Sequence, residues 1–238
     1  SAVRISGDLV ASKGEGQGLN NGLWNPVSLV ATGPVYTSDV FVRTSVEKKR
    51  LEADVEVTNP TGSDTALSVR CEAVDDKTGG VAASFGPVKV SAPAGEKATV
   101  TVAGDWPDPK LWWPERDAQC YRLRTILMND GEAIDTQEEL FGFREITREG
   151  RHLLLNGIRW HFWNWHTGGA ETIEEWLQEY EAANNRFHRF TSGDRKLFGY
   201  REKSLEKFDR LGIPGRLSTC IDGMVSTHDH YNPLVWKR

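Results

Sequence analysis

The feature that most constrains this chain is a change of hydrophobic period near Phe143. Before it, Cys120–Met128 and Ala133–Phe143 alternate apolar and polar residues, as Tyr121, Leu123, Thr125 and Leu127 show. Successive strand side chains point to opposite faces, so period two marks a half-buried strand. Asn129-Asp130-Gly131 between the runs supplies the left-handed backbone of a tight hairpin. After Phe143, Leu153-Leu154-Leu155 is a short apolar run that Asn156-Gly157 turns into a second, Ile158–Trp165. Helical periodicity begins at Glu171. The chain therefore passes from an all-β region into an alternating β/α region.

Residues 34–143 read as a sandwich. Val35–Val46 is the first strand. Leu51, Ala53, Val55 and Val57 alternate with Glu52, Asp54 and Glu56, giving one apolar and one acidic face. Leu67, Val69, Cys71 and Ala73 repeat the pattern, and Val88-x-Val90 and Ala98–Val102 follow. Asn59-Pro60-Thr61-Gly62, Asp75–Gly80 and Pro93-Ala94-Gly95 are turns. The count is about seven strands, as in an immunoglobulin-like fold. The acidic stripe reads as a solvated face, since no residues of ligand type lie near it in sequence. The loop from Trp106 to Trp113, stiffened by Pro107 and Pro109, reads as packing against a neighbouring domain, with sugar stacking as the alternative.

Two domains suit 238 residues, and a hydrophobic content of 38% with nine Trp suffices for real cores. A net charge of −5 argues against nucleic acid and against an anionic membrane surface. No apolar run approaches a bilayer span, and no leader-like pattern opens the chain. Cys71, Cys120 and Cys220 form no C-x-x-C pair. Cys71 and Cys120 fall in strands of one sandwich, where pairing is open to them, but small buried thiols are the preferred reading.

In residues 144–238, His152–Leu155 leads in and Ile158–Trp165 is the first strand of the β/α region. Glu171–Ala183 is a helix with Ile173, Trp176, Leu177 and Tyr180 on one face. Thr172 and Glu175 stand at capping-box spacing. Asn184-Asn185 ends it. Arg186–Phe190 is the next strand, 201–211 a second helix with Leu205, Phe208 and Leu211 inward, and Leu217–Ile221 a third strand. This order implies a parallel sheet.

Leu111-Trp112-Trp113-Pro114, Tyr121-x-Leu123, Phe141-Gly142-Phe143-Arg144-Glu145 and Leu155-Asn156-Gly157 occur in that order. Together they resemble glycoside hydrolase family 2, which includes β-galactosidases, β-glucuronidases and β-mannosidases. Asp209-Arg210-Leu211-Gly212-Ile213 is similar to the family's Asp-x-x-Gly-Ile. The resemblance implies an immunoglobulin-like antiparallel β-sandwich followed by the first β/α units of a TIM barrel. Residues 1–33, with Trp24 near their end, would be the remnant of a jelly-roll sugar-binding domain, 34–143 the sandwich and 144–238 the start of the barrel. It further implies a retaining exo-glycosidase acting on β-linked sugars, with no cofactor. The catalytic glutamates would lie on later strands, beyond Arg238, so no catalytic residue is expected here and this chain alone should be inactive.

Site residues carry over one by one. Phe162 takes the family's leucine place on strand one. Trp163-Asn164 replaces its Arg-Gly, and His166 holds the last position. On strand two, Arg189 is the candidate that positions the nucleophile, with Arg186 as the alternative. A charged residue inside an apolar strand needs a partner, which favours a role for Arg189. Asp222 would end strand three. His161, His166, His188, His228 and His230 raise the rival of a metal-dependent hydrolase. A lone His228-x-His230 in a loop-like stretch is weak, and the expectation is no metal. The other rival is a non-catalytic carbohydrate-binding or interaction module with a degenerate barrel. The expected partners are a carbohydrate substrate, the remaining domains of a parent chain and a further copy in a homo-oligomer, with neither nucleic acid nor membrane.

Overall fold

A computed structural model describes residues 2–6, 28–164, 170–190, 195–198 and 201–217. The expectations for Trp24, His166, Cys220, Asp222, His228 and His230 lie outside the described residues. The chain divides into two compact units, Ser1–Leu111 with Cys120–Glu145, and Trp112–Gln119 with Ile146–Arg238.

In the first unit, β1 (Ala2–Ser6) pairs antiparallel with β2 (Ser28–Thr32). The sandwich strands are β3 (Tyr36–Ser45), β4 (Arg50–Thr58), β5 (Thr65–Asp75), β6 (Val81–Ala92), β7 (Lys97–Asp105), β8 (Tyr121–Asn129) and β9 (Glu132–Phe141). They form a three-stranded sheet, β3-β4-β7, and a four-stranded sheet, β6-β5-β8-β9, antiparallel throughout. The period-two pattern produces the core directly: Leu51, Ala53, Val55 and Val57 of β4 and Val69, Cys71 and Ala73 of β5 are fully buried. Burial of each large aliphatic side chain stabilises by about 1.5–3 kcal/mol.

The acidic face of β4 is solvated and paired. Asp54 takes the Arg43 guanidinium, Glu52 takes Arg43 and Arg50, and Glu56 takes Lys97 at 2.7 Å. Solvent screens such exposed pairs, so they contribute little to stability. Cys71 and Cys120 are buried thiols, not joined in a disulfide. The hairpin between β8 and β9 turns through Asp130 (φ 48°) and Gly131 (φ 85°), the two left-handed residues that its sequence predicts.

Two sequence expectations need correction in this unit. β6 runs from Val81 to Ala92, well beyond Val88-x-Val90, because Gly86-Pro87 does not break it. The register shifts between Val69 and Cys71 opposite this dipeptide, and β6 is an edge of its sheet, where proline is tolerated. Trp106 packs inside its own sandwich. Its amide donates to Lys49 O at 2.7 Å. Its ring enters the sandwich core beside Tyr121 at 4.9 Å and Phe143 at 5.3 Å.

In the second unit, β10 (Ile146–Glu149), β11 (His152–Leu155) and β12 (Ile158–Trp160) form an antiparallel meander. The helix α1 (Ile173–Ala182) follows, then β13 (His188–Phe190), α2 (Arg195–Phe198), α3 (Arg201–Arg210) and β14 (Gly215–Leu217). The Thr172–Glu175 capping box is present in full. Asn184 takes φ 50° after the helix end, and the Asn185 amide returns to Tyr180 O at 3.0 Å. Trp176, Leu177, Tyr180, Phe198, Phe208 and Ile213 make the core.

β13 and β14 are parallel. The Ile158–Trp165 strand is corrected: β12 stops at Trp160 and pairs antiparallel with β11. Asn156 (φ 51°) and Gly157 (φ 78°) fold a tight hairpin that fixes this pairing. Strand two starts at His188 rather than Arg186, and strand three at Gly215, with 218–221 outside the described residues.

Candidate functional site

The candidate site begins where β12 ends. The Trp163 amide donates to His161 O at 2.9 Å, which bends the chain, and Trp163 O accepts the Arg186 amide at 2.7 Å. That bond brings the 161–164 segment beside the entry to β13. Phe162 and Phe187 meet edge to face at 5.8 Å. One residue on, the His188 ring lies between Trp176 at 4.8 Å and Phe208 at 5.4 Å. It is thus on the face covered by α1 and α3. Alternation along the strand puts half-buried Arg189 on the opposite face, the side of Phe187.

Arg186 is exposed, and its guanidinium stands 5.8 Å from the Trp160 ring centroid. Asn164 is half-buried, and its Oδ1 is buried without a hydrogen-bond partner among the described residues. Trp163 is 54% exposed. The structure therefore puts Trp163 and Asn164 next to the strand that carries Arg189, while His166 lies outside the described residues.

The sequence motifs have a structural role inside the units. In the first, Phe141 and Phe143 are core residues. The Glu145 carboxylate accepts from the Ser45 hydroxyl at 2.9 Å and from the Val46 and Glu47 amides at 3.1 and 3.0 Å. It closes the turn between β3 and β4. In the second, the Trp112 indole donates to Asp209 O at 2.7 Å, and the Asn156 side-chain amide donates to Trp112 O at 2.9 Å. The Ala118 amide donates to Arg210 O at 3.1 Å. Gly212, at φ +67°, lies so close to Glu115 that an added Cβ would stand 2.6 Å from its amide nitrogen.

Arg116 completes this clasp by pairing with Glu181 at 2.6 Å and Glu174 at 3.2 Å on α1. The Arg116 guanidinium holds the Glu181 carboxyl below the usual range. Sequence reasoning missed Arg116, because its partners lie 58 and 65 residues away. Glu175 serves the helix cap. Among the described residues no group of three or more His, Cys, Asp or Glu is arranged to hold a metal.

A β-sandwich, followed by a unit with a parallel βαβ element, defines the class. Residues 35–144, the sandwich, match the family model Glycosyl hydrolases family 2. No curated protein matches the chain. Its fold is similar to a β-glucuronidase of Bacteroides uniformis, with TM-score 0.60 at 19% identity over 82% of this chain and 25% of that one. A family 2 glycosyl hydrolase of Bacteroides cellulosilyticus gives 0.59 at 18% over 79% and 27%. A β-galacturonidase of Eisenbergiella tayi, bound to galacturonate, gives 0.59 at 20% over 80% and 34%. The chain thus spans about a quarter to a third of the length of these structures.

Proposed function

We propose that this chain is part of a retaining exo-glycoside hydrolase acting on β-linked sugars. The observation that carries the reading is the family match of the sandwich, residues 35–144, followed in the same chain by a parallel strand–helix–strand element. The domains are then a jelly-roll remnant (1–33), an immunoglobulin-like sandwich (34–143) and the opening of a TIM barrel (144–238). A TIM barrel takes about eight strands and typically about 250 residues, so the catalytic pair belongs to later strands. Two glutamates about 5 Å apart would act there as acid/base and nucleophile through a covalent glycosyl-enzyme.

In this reading Arg189, on the strand face away from α1 and α3, orients the nucleophile. Trp163, Asn164 and His166 contact the sugar: the exposed indole offers a stacking plane, and the unpartnered Asn164 Oδ1 accepts a hydroxyl. On α1, Glu175 is taken up by the cap and Glu174 and Glu181 by Arg116.

A second reading has one observation in its favour. Trp163-Asn164 stands where the family carries Arg-Gly, which suits a non-catalytic module. A panel of aryl β-glycosides on the full-length parent decides between them. Saturable turnover of one substrate is expected, and Arg189→Ala should lower kcat more than it raises KM. A folded parent that turns over none of them would establish the second reading.

A further inference from the structure

Arginine is distributed unevenly between pairs and free groups. Arg43, Arg50, Arg70, Arg116, Arg122 and Arg124 each hold a carboxylate. Arg148, Arg151 and Arg159 hold none among the described residues, and all three belong to the β10–β12 meander. Arg186 joins them by stacking over Trp160.

Register accounts for Arg148, while Arg151 lies in the β10–β11 turn and Arg159 is opposite Leu154. Leu153 is opposite Arg148 on one side and Trp160 on the other, so the three form one cross-strand row. Around the end of this hairpin Arg151, His152, Leu153, Arg159, Trp160 and Phe162 line a cavity of about 390 Å³. Leaving this much cationic surface unpaired, in a chain of net charge −5, has one obvious use. A guanidinium presents a planar fork that matches a carboxylate in two hydrogen bonds. An indole beside it offers a flat apolar plane of the kind that takes the carbon face of a sugar ring.

We propose that this groove binds an anionic glycan, a carboxylate-bearing sugar chain. The carbohydrate part of this assignment rests on the glycosidase reading, whereas the charge requirement does not. Arg151 and Arg159 clamp carboxylates, Trp160 carries a ring, and Arg186 stacks on the indole. Exposed arginines make the interaction strongly salt-dependent, with screening over about 10 Å at ~0.1 M salt.

The test is binding to residues 1–238, measured calorimetrically, of an oligogalacturonide, a neutral cello-oligosaccharide of equal length, and inorganic phosphate. The oligogalacturonide should bind, and the other two should bind at least about tenfold more weakly. The Arg151→Ala/Arg159→Ala double variant should lose about tenfold or more, and Arg151→Lys/Arg159→Lys should recover part of it. Circular dichroism checks the fold of both variants. Equal affinity for the neutral oligomer, equal affinity for phosphate, unchanged binding by the alanine variant or no binding by the parent chain would each overturn the proposal. Hydrolysis by the full-length parent is a separate readout, so failure of the glycosidase reading is distinguishable.

Discussion

Gly212→Ala is the sharpest perturbation of the clasp in the second unit. Two costs apply. Alanine at φ +67° pays the left-handed backbone penalty, about 1–2 kcal/mol. Its methyl carbon would also stand 2.6 Å from Glu115 N and 2.9 Å from Glu115 C, against ordinary contacts of about 3.5–4 Å. Backbone cannot rotate away as a side-chain tip does, so the 112–119 segment must retreat by roughly an ångström. Trp112, 1% exposed, rides on that segment. Losing its indole bond to Asp209 O costs about 1 kcal/mol net, and partial exposure of the ring about 1–2 more. The total is about 3–5 kcal/mol. Gly157→Ala is the control, since Gly157 has φ +78° with nothing within 4 Å of its added Cβ. It should cost the backbone penalty alone, about 1–2 kcal/mol. Hydrogen exchange read by mass spectrometry localises the effect. Amides of α1 and α3 should exchange roughly 30-fold or more faster in Gly212→Ala than in Gly157→Ala, with β5 and β8 unchanged. Equal exchange in the two variants, within a factor of about three, would show that contact with Glu115 does not hold the unit together.

Thr172→Ala removes the N-cap acceptor of α1 and should cost about 1 kcal/mol, seen as faster exchange confined to the first turn. Acid should weaken both units. Asp54 sits below its usual pKa chiefly through its hydrogen bond with Arg43, Glu56 through Lys97, and Glu181 through Arg116. Carboxylates with a depressed folded pKa stabilise fully above their unfolded values, near pH 4–4.5, and lose this as pH falls through the lower folded values. Thermal melts should therefore decline below about pH 4.5, and a melting temperature that stays flat down to pH 3 would contradict the pairing. Burial pushes the Cys71 thiol up to about 11. Peptide mapping after iodoacetamide at about pH 8 should find it unmodified until the sandwich unfolds, and prompt labelling of native protein would refute its burial.

The sandwich was legible in the sequence because each residue of a half-buried strand reports its own face. Leu51 to Val57 alternate in sequence as they alternate between core and ion-pair ladder. The capping box was legible for a similar reason, since its two members are three residues apart. The end of strand one was not. Ile158, Trp160 and Phe162 alternate with Arg159 and His161, so the period-two pattern runs on past the point where pairing stops. The stop comes from the Asn156-Gly157 hairpin and the bend at His161–Trp163, which commit the backbone elsewhere. The strand β10 escaped notice because all four of its residues are exposed, so no buried face patterns it. Trp106 and Trp112 sit in one loop sequence yet belong to different units, and no local rule separates them.

The residues that make the family recognisable are also the ones the structure uses as fasteners. Asn156 ties the β11–β12 turn, and Asp209 and Gly212 tie the end of α3, to the segment that carries Trp112. Phe143 and Glu145 fill the sandwich core and close one of its turns. Their chemistry is backbone hydrogen bonding, close approach and burial, and it would be required whether or not any sugar is cleaved. A motif match built on such residues therefore carries the fold strongly and the reaction weakly. The chemistry has to be argued from positions free of structural duty. In the described residues those are the exposed Trp163, the unpartnered Asn164 Oδ1 and the arginines of the meander. At the first two the sequence leaves the family pattern, and departure at a site whose neighbours keep the fold is what a change of ligand would require.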